Sequence, residues 1–171
     1  MGRPLVRRND WDGIVVESLM RIALGTDHAG YLLKEEVKKH LLAKGHEVED
    51  FGTDSEQAVD YPDYVGPAAE SVGLGKNDLG IVFGGSGNGE AIVANKADGV
   101  RCGLCWDLWS AEMTKKHNNA NVIALGGRVV EPKLALAIVD MWLESEFEGG
   151  RHLTRINKIK NGGAGRASLE S

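Results

Sequence analysis

Apolar positions along this chain fall into two alternating spacings. From Met20 the segment RIALGTD is a short apolar run closed by polar residues, which predicts a buried strand over 21–25. Over 30–43, Leu32, Leu33, Val37, Leu41 and Leu42 recur on one helical stripe and Gly45 supplies a stop, which predicts a helix. EVEDFG then reads as a second strand, so the three segments form one βαβ unit. After the loop DSEQAVDYPD come a helix around 63–73, the strand LGIVF, a glycine loop and a short helix starting near Glu90. The strand VRCGLCW, the helix LWSAEMTKKH, the strand NVIALGG and the helix PKLALAIVDMWLES follow, with Pro132 near the first turn of the last. A final helix is expected near 151–160.

Five strands alternating with helices predict a three-layer αβα fold with a five-stranded, mainly parallel sheet. In such a sheet ligands gather beyond the carboxyl ends of the strands, so the residues directly after each strand are the informative ones. TDHAG follows the first strand, GGSGNGE the third and GGR the fifth.

Composition narrows the picture. At 171 residues and 42% hydrophobic content, the chain supports one core, expected over 20–160. Residues 1–19 form an N-terminal extension without clean periodicity, and 161–171 a glycine- and serine-containing tail expected to be flexible. No apolar run approaches the roughly 18 residues of a membrane span. The opening MGRPLVRRNDWDG lacks the apolar segment of a signal peptide, so a cytoplasmic protein without a membrane partner is expected. A net charge of −5 argues against a general nucleic-acid surface and leaves room only for a small, locally held phosphate. Cys102 and Cys105, spaced as CGLC, invite a redox or metal reading. Zinc would need two further ligands that no nearby stretch supplies, and two reduced strand residues suit a cytosolic chain.

The stretch GGSGNGEAIVANK, residues 84–96, carries the chemistry. A glycine loop between strand and helix presents backbone N–H groups to an anion, so Glu90 has the wrong charge for a plain phosphate loop. The dinucleotide pattern G-x-G-x-x-G does not match G-G-S-G-N-G. The Walker pattern fits Gly84 and Gly89 in spacing, but its lysine is replaced by Glu90 and its hydroxyl by Ala91. Donors beside a carboxylate suit proton abstraction next to a carbonyl: the acid takes the proton and the amides, with Ser86, hold the oxyanion. Equally, Glu90 could merely cap a helix N-terminus, and spacing alone leaves both readings open.

Asp27 and His28 follow the first strand, where an acid/base pair could meet a sugar oxygen or Asp27 could cap the next helix. His117, Asn118 and Asn119 end a helix, which suits a cationic His and an Asn C-cap as well as it suits a site. Arg128 follows the fifth strand, and Arg151 and Arg155, four apart with His152 alongside, could grip one phosphate or form a solvated face. No Asp, Glu and His cluster shows convincing metal-ligand spacing along the chain, so a metal-assisted hydride shift is disfavoured.

Taken in order, TDHAGYLLKEEV, DYPD, GIVFGGSGNGEAIVANK, VRCGLCW, HNNANVIALGGR and RHLTRI resemble the type B ribose-5-phosphate isomerase and galactose-6-phosphate isomerase family over about residues 20–160. The resemblance implies aldose–ketose isomerisation of a sugar phosphate, D-ribose 5-phosphate to D-ribulose 5-phosphate in the leading case, through an enediolate and without metal or cofactor. A four- or six-carbon sugar phosphate, or an idle sugar-phosphate sensor, are the alternatives. It also implies a Rossmann-like fold in homodimers or dimers of dimers, with sites shared between subunits. Carried over by motif, Asp27 and His117 are the ring-opening pair, and His28, Arg128, Arg151 and Arg155 are substrate and phosphate ligands. Ser86 and the amides of Gly85, Gly87, Asn88 and Gly89 form the anion hole, Asn118 positions substrate and Tyr61 lines the sugar site. Many family members place a cysteine base where this chain has Gly84; a second branch uses a glutamate at the position of Glu90, and GGSGNGE resembles that branch.

Overall fold

The computed structural model describes residues 19–160, so the expected tail and nearly all of the N-terminal extension lie outside the described residues. In chain order the elements are β1 (Arg21–Thr26), α1 (Tyr31–Ala43), β2 (Glu47–Asp50), α2 (Pro62–Gly73), β3 (Leu79–Gly84), α3 (Asn88–Ala94), β4 (Cys102–Leu104), α4 (Leu108–Asn118), β5 (Val122–Gly126), α5 (Pro132–Glu144) and α6 (Arg151–Lys160). The strands form one parallel sheet in the order β2-β1-β3-β5-β4. Hydropathy explains that order. β3 and β5 are apolar and buried throughout, as strands covered on both faces must be, while the mixed β2 and the three-residue β4 take the edges.

Helices cover both faces. Leu33, Val37 and Leu41 of α1, Ala111 of α4 and Ala135, Ile138, Val139 and Trp142 of α5 pack with Ile22, Leu24, Ile81, Phe83, Ile123 and Leu125 on one side. Val65, Ala68, Ala69 and Val72 of α2 and Ala94 of α3 pack with Ala23, Val82, Val122 and Ala124 on the other. Trp142, the largest fully buried side chain, donates its indole N–H to the Ala120 carbonyl at 3.2 Å, so its polar atom is satisfied inside the core.

Two local expectations are corrected. Leu32 and Leu42 are 60% and 50% exposed, because positions 33, 37 and 41 define the α1 stripe and residues just outside that run rotate away from it. The stripe is completed instead by Lys34, which is buried: its ammonium meets Asp50 at 2.7 Å, Glu35 at 2.9 Å and the Thr53 carbonyl at 3.1 Å. Burial pushes the Asp50 carboxyl up, but Lys34, Lys38 and the Gly52 N–H outweigh it and hold Asp50 below the usual carboxylate range. The strand expected over VRCGLCW shrinks to Cys102–Leu104, since on its amino side the Arg101 and Cys102 N–H groups go to the side chains of Asn121 and Asn95.

Candidate active site

The order β2-β1-β3 reverses the direction of chain progression between β1 and β3, and the crevice that results opens at their carboxyl ends. Register brings three loops together there: Thr26 lies opposite Phe83, and Gly84 opposite Gly126. The loop after β5 is tied to the glycine loop, with Gly127 N–H donating to the Gly84 carbonyl at 2.7 Å and Arg128 N–H to Gly85 at 3.0 Å. The resulting cleft of about 550 Å³ is lined by Asp27, His28, Ala29, Tyr61, Gly85, Ser86, Gly89, Glu90, Arg128 and Val129. That is ample for a small phosphorylated metabolite.

Three polar side chains of the cleft are held by backbone N–H groups. Asp27 Oδ1 accepts from the N–H groups of Ala29 at 2.9 Å and Gly30 at 3.2 Å, so the turn-capping role and exposure to the cleft coexist. His28 Nδ1 accepts from the Val59 N–H at 3.2 Å. A backbone N–H can only donate, so neutral His28 carries its proton on Nε2 and offers it as a donor. Ser86 Oγ accepts from the Asn88 N–H at 3.2 Å. Gly87, at φ 84°, is in the left-handed region that lets the chain turn from the loop into α3.

Glu90 lies in the first turn of α3 and is 4% exposed. Burial raises its pKa and the neighbouring Asp27 charge adds to the rise, against the opposing N–H groups of Glu90 and Gly87. Helix capping would stabilise the anion; here desolvation wins, which is the environment of a proton acceptor. A Cβ built on Gly84 would fall inside the Glu90 carboxyl group. The carboxylate therefore occupies the space that a side chain at position 84 would fill.

His117, Asn118, Arg151 and Arg155 lie elsewhere. β4 and β5 run parallel, so α4 between them must run back and deliver its carboxyl end to the opposite end of the sheet. There the Asn118 and Asn119 carbonyls accept from the Arg101 guanidinium at 2.8 and 3.0 Å, and Asn119 forms the left-handed C-cap at φ 45°. α6 packs on α4 through His152 and Ile156, leaving Arg151 and Arg155 exposed. The predicted site residues thus form two groups at opposite ends of the sheet.

Sequence spacing missed one cluster: His117, Glu148 and His152 bring their ligand atoms within 4.8 Å of one another. The strand β5 and the helix α5 lie between His117 and the other two, so no linear motif announces it. As a metal site the cluster fits poorly. Zinc bonds of about 2.0–2.2 Å require closer, converging donors, whereas the two imidazoles stack at 9° to each other with parallel edges. The sequence also gave no sign that Ala29 and Val129 line the cleft, as neither carries a chemical signature. Cys102 and Cys105 are free thiols; burial pushes both up, Cys105 to about 12, so neither is a thiolate nucleophile.

A doubly wound parallel sheet with a buried acid and a glycine loop at its switch point places the chain among the open α/β proteins, whose ligands sit in that crevice. Within that class the chain belongs to the Ribose/Galactose Isomerase family, whose model matches residues 22–159. It is 45% identical over 141 residues to ribose-5-phosphate isomerase B of Escherichia coli (strain K12), covering 82% of this chain and 95% of that protein. It is also 45% identical over 140 residues to ribose-5-phosphate isomerase B of Mycobacterium tuberculosis (strain ATCC 25618 / H37Rv), covering 81% of this chain and 86% of that one. Among solved structures, ribose-5-phosphate isomerase B of Clostridium thermocellum superposes with a TM-score of 0.82 at 50% identity, covering 83% of this chain and 96% of that chain. The Mycoplasma genitalium enzyme with bound ribulose-5-phosphate gives 0.80 at 38% identity, covering 83% and 95%.

Proposed function

We propose that the protein interconverts D-ribose 5-phosphate and D-ribulose 5-phosphate, in sites assembled from two copies of the chain. The kinship with ribose-5-phosphate isomerases B supports the substrate. The observation that carries the chemistry is Glu90: a buried carboxyl with raised pKa, packed against Gly84 beside a loop of backbone donors. Asp27 of one copy and His117 of the other open the furanose. The carboxylate takes the anomeric hydroxyl proton, the C1–O4 electrons pass to O4, and the imidazolium protonates O4. Glu90 then takes the C2 proton of the aldehyde, the loop amides and Ser86 hold the enediolate oxygen, and Glu90 returns the proton to C1 while a proton moves from O2 to O1. The redox change is internal to the sugar, so no external oxidant is needed. Arg128 and His28 from the cleft meet Arg151 and Arg155 of the second copy around the phosphate, Asn118 positions substrate and Tyr61 closes the sugar side.

The exposed apolar residues support assembly. Trp106 (53%), Trp109 (65%) and Val129 (63%) stay in solvent on a single chain. Trp106 and Val129 border a groove with Leu104 and Cys105 that shares Ser86 with the cleft. Burying that groove against a second copy would bring a foreign His117 and arginine pair toward Glu90 without unfolding either chain.

The test is Glu90→Gln assayed on four-, five- and six-carbon aldose phosphates. kcat on ribose 5-phosphate should fall by roughly 10²- to 10⁴-fold with KM little changed. Near-normal turnover would remove Glu90 from the mechanism, and a wild-type preference for another chain length would move the substrate.

A further inference from the structure

Resting on the reading of His117 as the ring-opening acid, we propose that Glu148 and His152 are its positioning residues, a carboxylate and a buried ring that fix the orientation of the His117 imidazole. The His117 and His152 rings stack with centroids 4.2 Å apart and an interplanar angle of 9°. Glu148 Oε2 lies 3.9 Å from His117 Nε2 and 3.5 Å from His152 Nε2, so one carboxylate addresses the edges of both rings. Its backbone is anchored to the same helix: Glu148 N–H donates to the Lys116 carbonyl, next to His117, at 3.0 Å. Gly149 and Gly150, at φ 68° and 55°, then reverse the chain into α6 so that His152 comes back over His117. Packing alone does not explain this arrangement.

His152 is 6% exposed in its side chain, yet its Nε2 finds no hydrogen-bond partner among the described residues. A core histidine placed only for packing would have that nitrogen satisfied or would be replaced by an apolar ring. Burial lowers the His152 pKa, and His117, Arg151 and Arg155 lower it further against the opposing pull of Glu148. Burial thus disfavours charge on His152, and the Glu148 carboxylate is the acidic group that faces both rings. A proton donor that must carry positive charge between turnovers gains from such a partner, and a flat neighbour removes ring rotations that would misdirect the proton.

Glu148→Gln and His152→Ala are measured with ribose 5-phosphate, alone and combined with His117→Asn. Each single variant should lower kcat about ten-fold, the effect of one close charge or packing contact, with KM within two-fold. In the His117→Asn background neither should lower kcat further, because both act through the missing ring. His152→Phe should recover most of the His152→Ala loss, and Glu146→Gln, a neutralised acid two residues away, should behave as wild type. Additive losses in the double variants, a rise in KM with kcat intact, or unchanged kcat in both single variants would overturn the proposal. Wild-type turnover at the Glu90 base with full activity in His117→Asn would instead remove the ring-opening assignment on which it rests.

Discussion

Glu90 is subject to opposed effects, and their balance has measurable consequences at the scale of one residue. Its folded-state pKa is raised, chiefly by burial and then by Asp27. A raised acid binds its proton more tightly folded than unfolded, so its contribution to stability is present at low pH and is lost as pH rises through the folded pKa. Glu90→Gln should therefore melt higher than wild type at pH 7, by roughly 2 °C, with the difference closing near pH 4. A lower melting temperature at neutral pH would show that the N–H groups of Glu90 and Gly87 outweigh desolvation. Removing the neighbouring charge with Asp27→Asn should move the Glu90 carboxyl titration, followed by carbon NMR, to lower pH. Gly84 supplies a steric test of the same carboxyl. Since a Cβ there would overlap it, Gly84→Ala should displace Glu90 and cost at least 10²-fold in kcat, while leaving the ANK end of α3 in place.

At the scale of elements, the alternation of strands and helices was legible because parallel strands covered on both faces are continuous apolar runs and glycines mark their ends. What escaped was anything decided by tertiary contact. Lys34 has the composition of a surface residue, and only the convergence of Asp50, Glu35 and Thr53 shows why it is inside. Leu32 and Leu42 have the composition of a core and lie outside it. β4 starts late for the same kind of reason, since asparagine side chains from two other segments take the N–H groups at its amino end. The Lys34 network makes its own prediction. Lys34→Ala would leave the half-buried Asp50 with only Lys38 and backbone donors, and should cost about 3 kcal/mol in urea unfolding. Lys34→Met, which keeps the stem but not the charge, should cost the same or slightly less, whereas a loss under 1 kcal/mol in both would mean that Asp50 is satisfied by Lys38 alone.

At the scale of the whole molecule, the motifs picked out candidate residues but not their separation. Asp27, Ser86, Glu90 and Arg128 converge because they follow adjacent strands, and that much was readable from strand order. His117 and the two α6 arginines fall at the other end because a helix between parallel strands must run backwards, about 16 Å for the 11 residues of α4. If two copies complete each other's sites, two inactive variants should rescue one another. A chain with Glu90→Gln contributes a dead cleft and a sound His117; a chain with His117→Ala contributes the reverse. In a mixed dimer one site combines both lesions and the other neither. Unfolding and refolding the two variants together in equal amounts yields mixed dimers in half of the population. Activity should then recover to about a quarter of wild type, while each variant refolded alone stays inactive. Sites completed within one chain would leave the mixture as inactive as its components, whatever the oligomeric state.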